Sequence, residues 1–271
     1  MIVVKIGGAR AVDPQGAIDD VATLTEAGED VIVVHGGSTA VDDALEAMGT
    51  DPEYVETPGG VVGRFTDAET MDVFSMAMGK VNTDLVTDLQ TAGVDAVGCN
   101  GVDGGLLTGA RKSAVKIREN GKTKIKRGDH SGKIDAVNDH LLETLLVGGY
   151  TPVVSVPMLA DDGVAVNTDA DRAAAAVAGA MDASLVVLTD VAGVYEDPTD
   201  PATRIETVDS PDALDATKAA AEGFMTKKVL AATEALSGGA TEVVVADATK
   251  ATPVVSALDG DGTRFIPDAI A

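Results

Sequence analysis

Short apolar runs, rich in valine and isoleucine, recur along the whole chain. They cover Ile2–Ile6, Val31–Val34, Asp95–Gly98, Thr151–Val156, Ser184–Thr189 and Glu242–Ala246. Their apolar content is nearly continuous, which is typical of strands that are buried on both faces of a parallel sheet. The pattern therefore predicts a sheet with helices packed on either side.

Apolar residues at helical spacing fill the segments between these runs. One predicted helix follows Thr66-Asp67-Ala68-Glu69, which has the form of a capping box, and its apolar stripe consists of Met71, Phe74, Met78, Val81, Leu85 and Leu89. Ser38 can cap a second helix, whose stripe consists of Val41, Leu45 and Met48. A third amphipathic helix is predicted from Ile134, Val137, Leu141 and Leu145, and small residues predict a fourth over Arg172–Ala180.

Strands that alternate with helices predict an α/β fold: a three-layer α/β/α sandwich on an open, mainly parallel sheet. The sequence has neither an internal repeat nor a low-complexity linker, and its nearest approach to a boundary is the loop Met158–Gly163. We therefore expect one domain over residues 1–271, with one lobe over about 1–160 and a second over about 161–271.

One segment, Arg111–Lys133, departs from this alternation of strand and helix. Ala114–Arg118 and Lys122–Arg127 resemble two strands, and the Asn-Gly step in Glu119-Asn120-Gly121 is a strong signal for a hairpin turn between them. The segment holds nine of the twenty basic residues of the chain and only two acids, Glu119 and Asp129. The sequence thus predicts a β-hairpin insertion whose charge is opposite in sign to that of the rest of the chain.

The composition restricts the classes of function. Acids outnumber bases 44 to 20, for a net charge of -24, so a general role in nucleic-acid binding is excluded. Such an excess keeps a protein hydrated and repelling its neighbours, as in halophilic organisms with molar internal salt.

Cysteine and histidine are scarce. Cys99 is the only cysteine, so an intramolecular disulfide and a thiolate metal cluster are excluded, and three scattered histidines do not suggest a metal site. The chain has neither a long apolar span nor a recognisable signal peptide at Met1–Ile6. We expect a cytoplasmic protein that does not bind membranes.

Candidate chemistry lies where the predicted strands end. Gly7-Gly8 closes the first strand, and His35-Gly36-Gly37-Ser38 closes the second and opens a helix. Glycines there let backbone N–H groups approach an anion, although they can also be simple turn residues. Ligands of open α/β sheets bind at the carboxyl ends of the strands, where these loops lie.

Lys5 is unusual because it interrupts an apolar strand, where a buried ammonium without a partner is costly. It is either a lysine on an edge strand that points outward or a cation directed at a phosphate beside Gly7 and Gly8. Downstream, the acids of Asn167-Thr168-Asp169-Ala170-Asp171 can be helix caps or can hold a lysine or face a metal nucleotide. The sequence lacks both the P-loop and the dinucleotide-binding fingerprint.

Five motifs in one order carry a resemblance to a known family. They are Val-Lys-Ile-Gly-Gly, Val-His-Gly-Gly, Asn-x-Asp-x-Asp, Thr-Asp-Val-x-Gly-Val and Gly-Phe-Met-x-x-Lys. Over essentially its whole length the chain resembles the amino-acid kinase family and is similar to acetylglutamate kinases. The N-terminal motif, Gly101–Leu107 and the basic hairpin look most like the archaeal LysW-aminoadipate/LysW-glutamate kinases, which phosphorylate the side-chain carboxylate of an amino acid on a small acidic carrier protein.

The resemblance implies transfer of the γ-phosphoryl group of ATP to a carboxylate, with Mg²⁺ brought by the nucleotide and no dedicated metal site in the protein. It implies that Lys5 and Lys228, rather than Lys227, contact the transferring group and that Asp171 orients both lysines. The acceptor-binding positions are Gly36, Gly37, Arg64 and Asn167. The nucleotide-binding positions are Gly7, Gly8, Asp190, Val191, Gly193, Val194, Tyr195, Gly223 and Met225. The family also implies a homodimer.

Two departures from the family pattern concern the acceptor rather than phosphoryl transfer. Asp169 replaces the asparagine that is common in bacterial acetylglutamate kinases, and Ser38 stands where a third glycine is frequent. The sequence leaves three functions open. The first is a kinase of a carrier-bound acceptor, with an acidic LysW-like partner docking near Arg111–Lys133. The others are a kinase of free N-acetylglutamate and a catalytically silent regulator on the same fold.

Overall fold

A computed structural model describes residues 1–7, 13–60, 62–119 and 121–271, apart from the side chain of Phe224. Gly8, predicted to bind the nucleotide, and Asn120, predicted to lie in the hairpin turn, fall outside the described residues. The strands are β1 Ile2–Ile6, β2 Val31–His35, β3 Tyr54–Glu56, β4 Val62–Arg64, β5 Ala96–Gly101, β6 Leu107–Glu119, β7 Lys122–Val137, β8 Thr151–Ala160, β9 Ala165–Val166, β10 Ser184–Thr189, β11 Thr207–Val208, β12 Glu242–Asp247 and β13 Thr263–Phe265.

Eight α-helices alternate with these strands in the described part of the chain. They are α1 Gln15–Glu26, α2 Ser38–Ala47, α3 Ala68–Thr91, α4 Asp139–Val147, α5 Ala170–Ala180, α6 Pro211–Ala220, α7 Phe224–Ser237 and α8 Pro253–Leu258. Short 3-10 turns cover Asp103–Gly105, Pro201–Thr203 and Pro267–Ile270. Within the described residues, no helix is long and apolar enough to cross a membrane.

One large sheet forms the middle layer of the molecule. Its strand order is β11-β13-β12-β10-β1-β2-β8-β6-β7, with β5 and β9 also paired to β8. Pairing is parallel from β12 through β10, β1 and β2 to β8, whereas the hairpin β6–β7 and the pairs β12–β13 and β8–β9 are antiparallel. The predicted mainly parallel, open sheet is confirmed.

Two apolar cores, one on each face of the sheet, make the three layers. Along β1, Ile2, Val4 and Ile6 pack into one core together with residues of α1 and α8. Val3, on the opposite face, packs into the other core with residues of α2, α5 and α7. Successive side chains of a strand point to opposite faces, so a central strand needs apolar residues at nearly every position.

Three local predictions about helices were wrong. Asp67, not Thr66, caps α3: its carboxylate accepts from the backbone N–H of Thr70, while Thr66 is fully buried. Ser38 is the first residue of α2, and Gly37 occupies the cap position. In both cases the predicted capping side chain bonds elsewhere, because Arg64 donates to the Ser38 hydroxyl and Asn167 to that of Thr66.

The third error joined a strand to a helix. Ile134 and Val137 were predicted to lie on one helix with Leu141 and Leu145, but they belong to β7 and pair across to Gly109 and Leu107 of β6. The helix begins only at Asp139, where the Asn138 side chain accepts from the N–H of Leu141. Apolar residues of a strand and of the following helix can mimic one helical stripe, and only the cap separates them.

The predicted hairpin is present and longer than expected. The sequence signal covered only Ala114–Arg118 and Lys122–Arg127, whereas β6 and β7 run from Leu107 to Glu119 and from Lys122 to Val137. The base of the hairpin joins the main sheet, because Thr108 and Gly109 pair with Leu159 and Ala160 of β8. The distal half carries most of the exposed basic residues, Lys116, Arg118, Lys122, Lys124 and Arg127, whereas Lys112 and Lys133 lie nearer the base.

Candidate active site

Lys5 lies near the carboxyl end of β1 in the middle of the sheet, between Val187 of β10 and Val34 of β2. It is only 6% exposed, which excludes the alternative of a lysine on an edge strand. Because side chains alternate along the strand, Lys5 points to the same face as Val3, the face covered by α5. The position of Lys5 therefore requires a partner on that layer.

Asp171 supplies this partner from the first turn of α5. The helix begins where the Asp169 carboxylate accepts from the N–H groups of Asp171 and Arg172, which confirms the predicted capping role of Asp169. Lys5 Nζ lies 2.6 Å from Asp171 Oδ1, and Lys228 Nζ lies 3.2 Å from Asp171 Oδ2. One buried carboxylate thus holds two ammonium groups.

Lys228 reaches this carboxylate because α7 packs closely along α5. Arg172 donates to Glu234 from both Nε and Nη2, and a Cβ on Gly179 would meet the backbone of Gly238 at 2.9 Å. The neighbouring Lys227 lies 3.9 Å from Asp169 instead. The structure therefore brings together the three residues predicted as the catalytic centre, with Lys228 rather than Lys227 on Asp171.

The protonation of this cluster follows from burial and charge. Burial by itself would raise the pKa of Asp171, but Lys5 and Lys228 outweigh it and lower that pKa to about 2. Burial lowers the pKa of Lys228, and Asp171 partly offsets this effect. With both lysines charged, the cluster carries a net positive charge at the carboxyl edge of the sheet, which suits an anionic group.

We expect the Asp171 carboxylate to contribute stability that depends on pH. Its pKa in the folded protein is below the ordinary value of 3.8. The contribution is therefore complete above about pH 5 and is lost as the pH falls from there toward about 2. The shift corresponds to about 2 kcal/mol. The difference in free energy of unfolding between wild type and Asp171→Asn should be constant from pH 5 to 7 and shrink below pH 4. A difference that does not change down to pH 2 would contradict the pairing.

The glycines predicted to bind the acceptor lie one strand away from Lys5. Gly36 donates its N–H to the carbonyl of Ile6, which ties the end of β2 to the end of β1. Gly37 occupies the cap position just before α2, and a Cβ there would stand 2.7 Å from Met78 Sδ. Gly37 therefore lets the Met78 side chain of α3 pack closely against this loop.

Arg64 is engaged within the protein. Its Nε and Nη2 donate to Asp42 Oδ1 at 3.1 and 2.7 Å, and Nη2 also donates to the carbonyl and hydroxyl of Ser38. Tyr54 donates to Asp42 and accepts from Arg64. The guanidinium thus binds one oxygen of a carboxylate on α2, Asp42 Oδ1, through two nitrogens, and Nη1 takes no part in these bonds.

Asn167 precedes the helix α5 and is hydrogen-bonded to the base of the hairpin. Its N–H donates to the carbonyl of His130, its carbonyl accepts from Gly132, and its side chain donates to Thr66 Oγ1. His130 in turn donates its N–H to the carbonyl of Thr66. The predicted acceptor residue and the root of the basic hairpin are therefore one hydrogen-bonded unit.

The loop predicted to bind the nucleotide follows β10. Asp190 and Val191 are exposed, whereas Gly193 and Val194 are buried against Thr263, whose hydroxyl accepts from the Val194 N–H. Gly193 has a φ of 145°, and a Cβ there would lie 2.6 Å from Thr263 Oγ1. Tyr195 forms an isolated bridge with Arg204.

The remaining residues predicted to bind the nucleotide lie at the start of α7 and at the end of β1. Gly223, with a φ of 54°, precedes α7, and Met225 in the first turn packs against the core. Gly7 follows Lys5 directly at the end of β1. Parallel strands β1, β2 and β10 end on one side of the sheet, so these loops border the Lys5–Asp171–Lys228 cluster. Within the described ranges, no three His, Cys, Asp or Glu side chains are grouped to hold a metal ion.

The basic hairpin is only partly neutralised by the protein itself. Lys124 pairs with Glu119, Lys126 with Glu53, Lys133 with Asp135 and Arg111 with Asp162. Over the described part of the chain, no carboxylate forms an ion pair with the five other bases, which are Lys112, Lys116, Arg118, Lys122 and Arg127. Internal pairing therefore accounts for four of the nine hairpin bases and leaves five exposed.

Sequence reasoning missed the residues that support the site from a distance. Asp42 and Tyr54 hold Arg64, Thr66 holds Asn167, and Thr263 holds the loop after β10. Asp42, Tyr54 and Thr263 lie in no motif, and Thr66 lies in one that indicated a helix cap rather than a contact with Asn167. No local signal in the sequence could have found them.

The sequence of this chain matches a known family and several known proteins. Residues 1–247 match the amino acid kinase family. The LysW-aminoadipate kinases of Deinococcus radiodurans and Thermus thermophilus are 43% and 42% identical, over 97% of this chain in both cases and over 90% and 99% of the relatives. The chain belongs to the amino acid kinase family. The resemblance drawn from the five motifs is confirmed.

Other relatives of this amino acid kinase are named for different activities. An acetylglutamate kinase of Methanopyrus kandleri is 40% identical over 97% of this chain and 99% of that protein. The N-acetylglutamate synthase of Neisseria gonorrhoeae, solved with coenzyme A and N-acetyl-glutamate, has a TM-score of 0.78 at 22% identity. It matches 98% of this chain, which spans 59% of the length of that synthase, and it supports the fold alone.

Proposed function

We propose that this amino acid kinase transfers the γ-phosphoryl group of ATP to the side-chain carboxylate of glutamate or 2-aminoadipate. The acceptor is carried on an acidic LysW-type protein, and the acyl phosphate formed serves arginine or lysine biosynthesis in the cytoplasm. The proposal rests on the buried Lys5–Asp171–Lys228 cluster, in which one carboxylate fixes two cations. Two fixed cations can offset the repulsion between the two anionic reactants, the phosphates of ATP and the acceptor carboxylate.

The chain's own residues contribute charge and alignment. In the reaction an ionised carboxylate oxygen bonds to the γ-phosphorus as the bond to the β–γ bridging oxygen breaks and ADP leaves. No proton has to move, so the site needs no general base. Asp171, with a pKa of about 2, stays ionised and keeps Lys5 and Lys228 in place at neutral pH. Mg²⁺ bound to ATP would neutralise part of the charge on its phosphates.

The two lobes take separate parts in this proposal. Residues 161–271 contribute Lys228, the loop Asp190–Tyr195 and the start of α7, and they bind the nucleotide. Residues 1–160 contribute Gly36, Gly37 and Arg64 and bind the acceptor together with Asn167. Lys5 lies between the two groups, because β1 pairs with β10 on one side and β2 on the other.

The hairpin favours an acceptor that is attached to a protein. Its base is hydrogen-bonded to Asn167, and five exposed bases that form no ion pair within the described ranges are distributed from there toward its tip. An acidic carrier held on this surface would place its bound amino acid beside Asn167. A free amino acid is too small to contact basic residues that are spread along the hairpin.

The second candidate is kinase activity on free N-acetylglutamate, and the identity of 40% to an acetylglutamate kinase favours it. A parallel assay with carrier-bound glutamate, carrier-bound 2-aminoadipate and free N-acetylglutamate distinguishes the candidates. We expect kcat/KM for a carrier-bound acceptor to exceed that for the free acceptor by at least about 100-fold. Equal or higher kcat/KM for free N-acetylglutamate would overturn the carrier proposal. Absence of turnover with all three acceptors would overturn kinase activity.

A further inference from the structure

A buried histidine lies beside the site and has no part in the chemistry described so far. His35 ends β2, pairs across to Ile6 and is 1% exposed. Burial lowers its pKa, and Lys5 lowers it further against the opposing effect of the Gly36 carbonyl. The ring is therefore neutral at physiological pH, and one of its nitrogens carries the single proton.

The hydrogen bonds around Asn82 of α3 determine which nitrogen that is. Asn82 Nδ2 lies 2.9 Å from the carbonyl oxygen of Val153 and 3.0 Å from His35 Nε2. A carbonyl can only accept, so the amide nitrogen, and not the amide oxygen, faces Val153. Its second hydrogen is then directed at His35 Nε2, which must accept.

This arrangement fixes the tautomer of His35. With Nε2 accepting, the ring proton is on Nδ1, which lies 3.1 Å from the Gly36 carbonyl oxygen and donates to it. A planar trans peptide directs its carbonyl and the following N–H in opposite directions. The bond that holds the Gly36 carbonyl toward His35 therefore directs the N–H of Gly37 to the other side of the loop.

We infer that Asn82 and His35 are positioning residues that orient the Gly36–Gly37 peptide for binding of the transferring phosphoryl group or the acceptor carboxylate. The inference rests on the proposed function and deepens it. Asn82 acts through His35, and His35 acts through the Gly36 carbonyl. Gly98 provides the room for Asn82, because a Cβ there would stand 2.1 Å from Asn82 Oδ1. A donor aimed in advance costs no reorganisation during the reaction.

The test combines kinetics with the state of the imidazole. Asn82→Leu should lower kcat at least about tenfold, because the N–H of Gly37 is no longer held in one orientation. The KM for ATP should stay within about twofold of the wild-type value. His35→Leu should lower kcat similarly. His35→Asn should restore most of the loss, because its amide nitrogen occupies nearly the place of Nδ1. Thr83→Ala, one residue along α3, is the matched control and should retain the wild-type kcat.

Nitrogen-15 NMR of histidine-labelled protein gives a readout that is independent of turnover. The chain has three histidines, and His35→Asn assigns the signal of His35. We expect the neutral Nδ1–H form in the wild type and loss of that single form in Asn82→Leu. An Nε2–H form in the wild type, or an unchanged kcat in Asn82→Leu, would overturn the inference. If the wild type phosphorylates no acceptor, kinase activity fails, and the NMR result still decides whether Asn82 fixes the ring.

Discussion

Replacing Lys5 or Lys228 with alanine is expected to lower kcat by about 100-fold or more and to change KM much less. Each ammonium is fixed on Asp171, at 2.6 and 3.2 Å, in a buried site where charge is weakly screened. The charge that develops between the attacking and leaving oxygens is stabilised most strongly by such cations in the transition state. Steady-state kinetics with saturating ATP and acceptor measures the effect.

Lys227→Ala is the matched control for this prediction. Lys227 is adjacent in sequence but lies 3.9 Å from Asp169 rather than on Asp171, so its loss should leave kcat within about threefold. Thermal unfolding of each variant separates a lost cation from a lost fold. A folded Lys5→Ala variant with near-normal turnover would remove Lys5 from the chemistry and favour the silent-regulator alternative.

The second large effect is expected from the exposed bases of the hairpin, which divide between its two faces. In an antiparallel pair, residues directly opposite each other share a face. Lys116 faces Ile125, Arg118 faces Thr123 and Arg127 faces Ala114, so these three bases lie on one face. Lys122, Lys124 and Lys126 lie on the other face, where Glu119 and Glu53 pair with two of them.

We call the face with Lys116, Arg118 and Arg127 the unpaired face and the face with Lys122, Lys124 and Lys126 the paired face. Charge reversal on the unpaired face should impair the carrier-dependent reaction more than charge reversal on the paired face. We expect Lys116→Glu, Arg118→Glu and Arg127→Glu together to raise the KM for the carrier at least about tenfold. The triple variant Lys122→Glu, Lys124→Glu and Lys126→Glu has the same change in net charge and is the matched control. Because surface ion pairs contribute about 0–1 kcal/mol each, its fold should be retained and its carrier KM should rise less. The KM for ATP should stay constant in both.

A salt series distinguishes steering from direct contact. The defect of the unpaired-face variant should shrink as salt screens exposed charges. The net charge of -24 is typical of proteins that work in molar salt. At such a salt concentration long-range attraction would be screened, and only direct contacts between the hairpin and the carrier would contribute. Identical carrier KM values for wild type and both variants at low salt would show that the carrier does not use the hairpin, and would favour the free acceptor.

The sequence by itself determined the layer architecture and the order of the chemical groups. β1 and β10 have the bounds predicted from their Val and Ile content, because buried parallel strands leave a continuous apolar run. Asn-Gly predicted the hairpin, and five short motifs in order indicated the family. These signals are readable because strand period, turn chemistry and glycine at strand ends are local properties of the chain.

Tertiary structure decided which of these residues meet and which are already occupied. It buried Lys5 in a central strand and placed Asp171 and Lys228 on it from two helices remote in sequence. It paired Arg64 with Asp42, and it locked His35 through Asn82. It also ended β7 at Val137, where apolar spacing alone had predicted a helix. Contacts between distant residues depend on how whole elements pack, and periodicity along the chain carries no record of that packing.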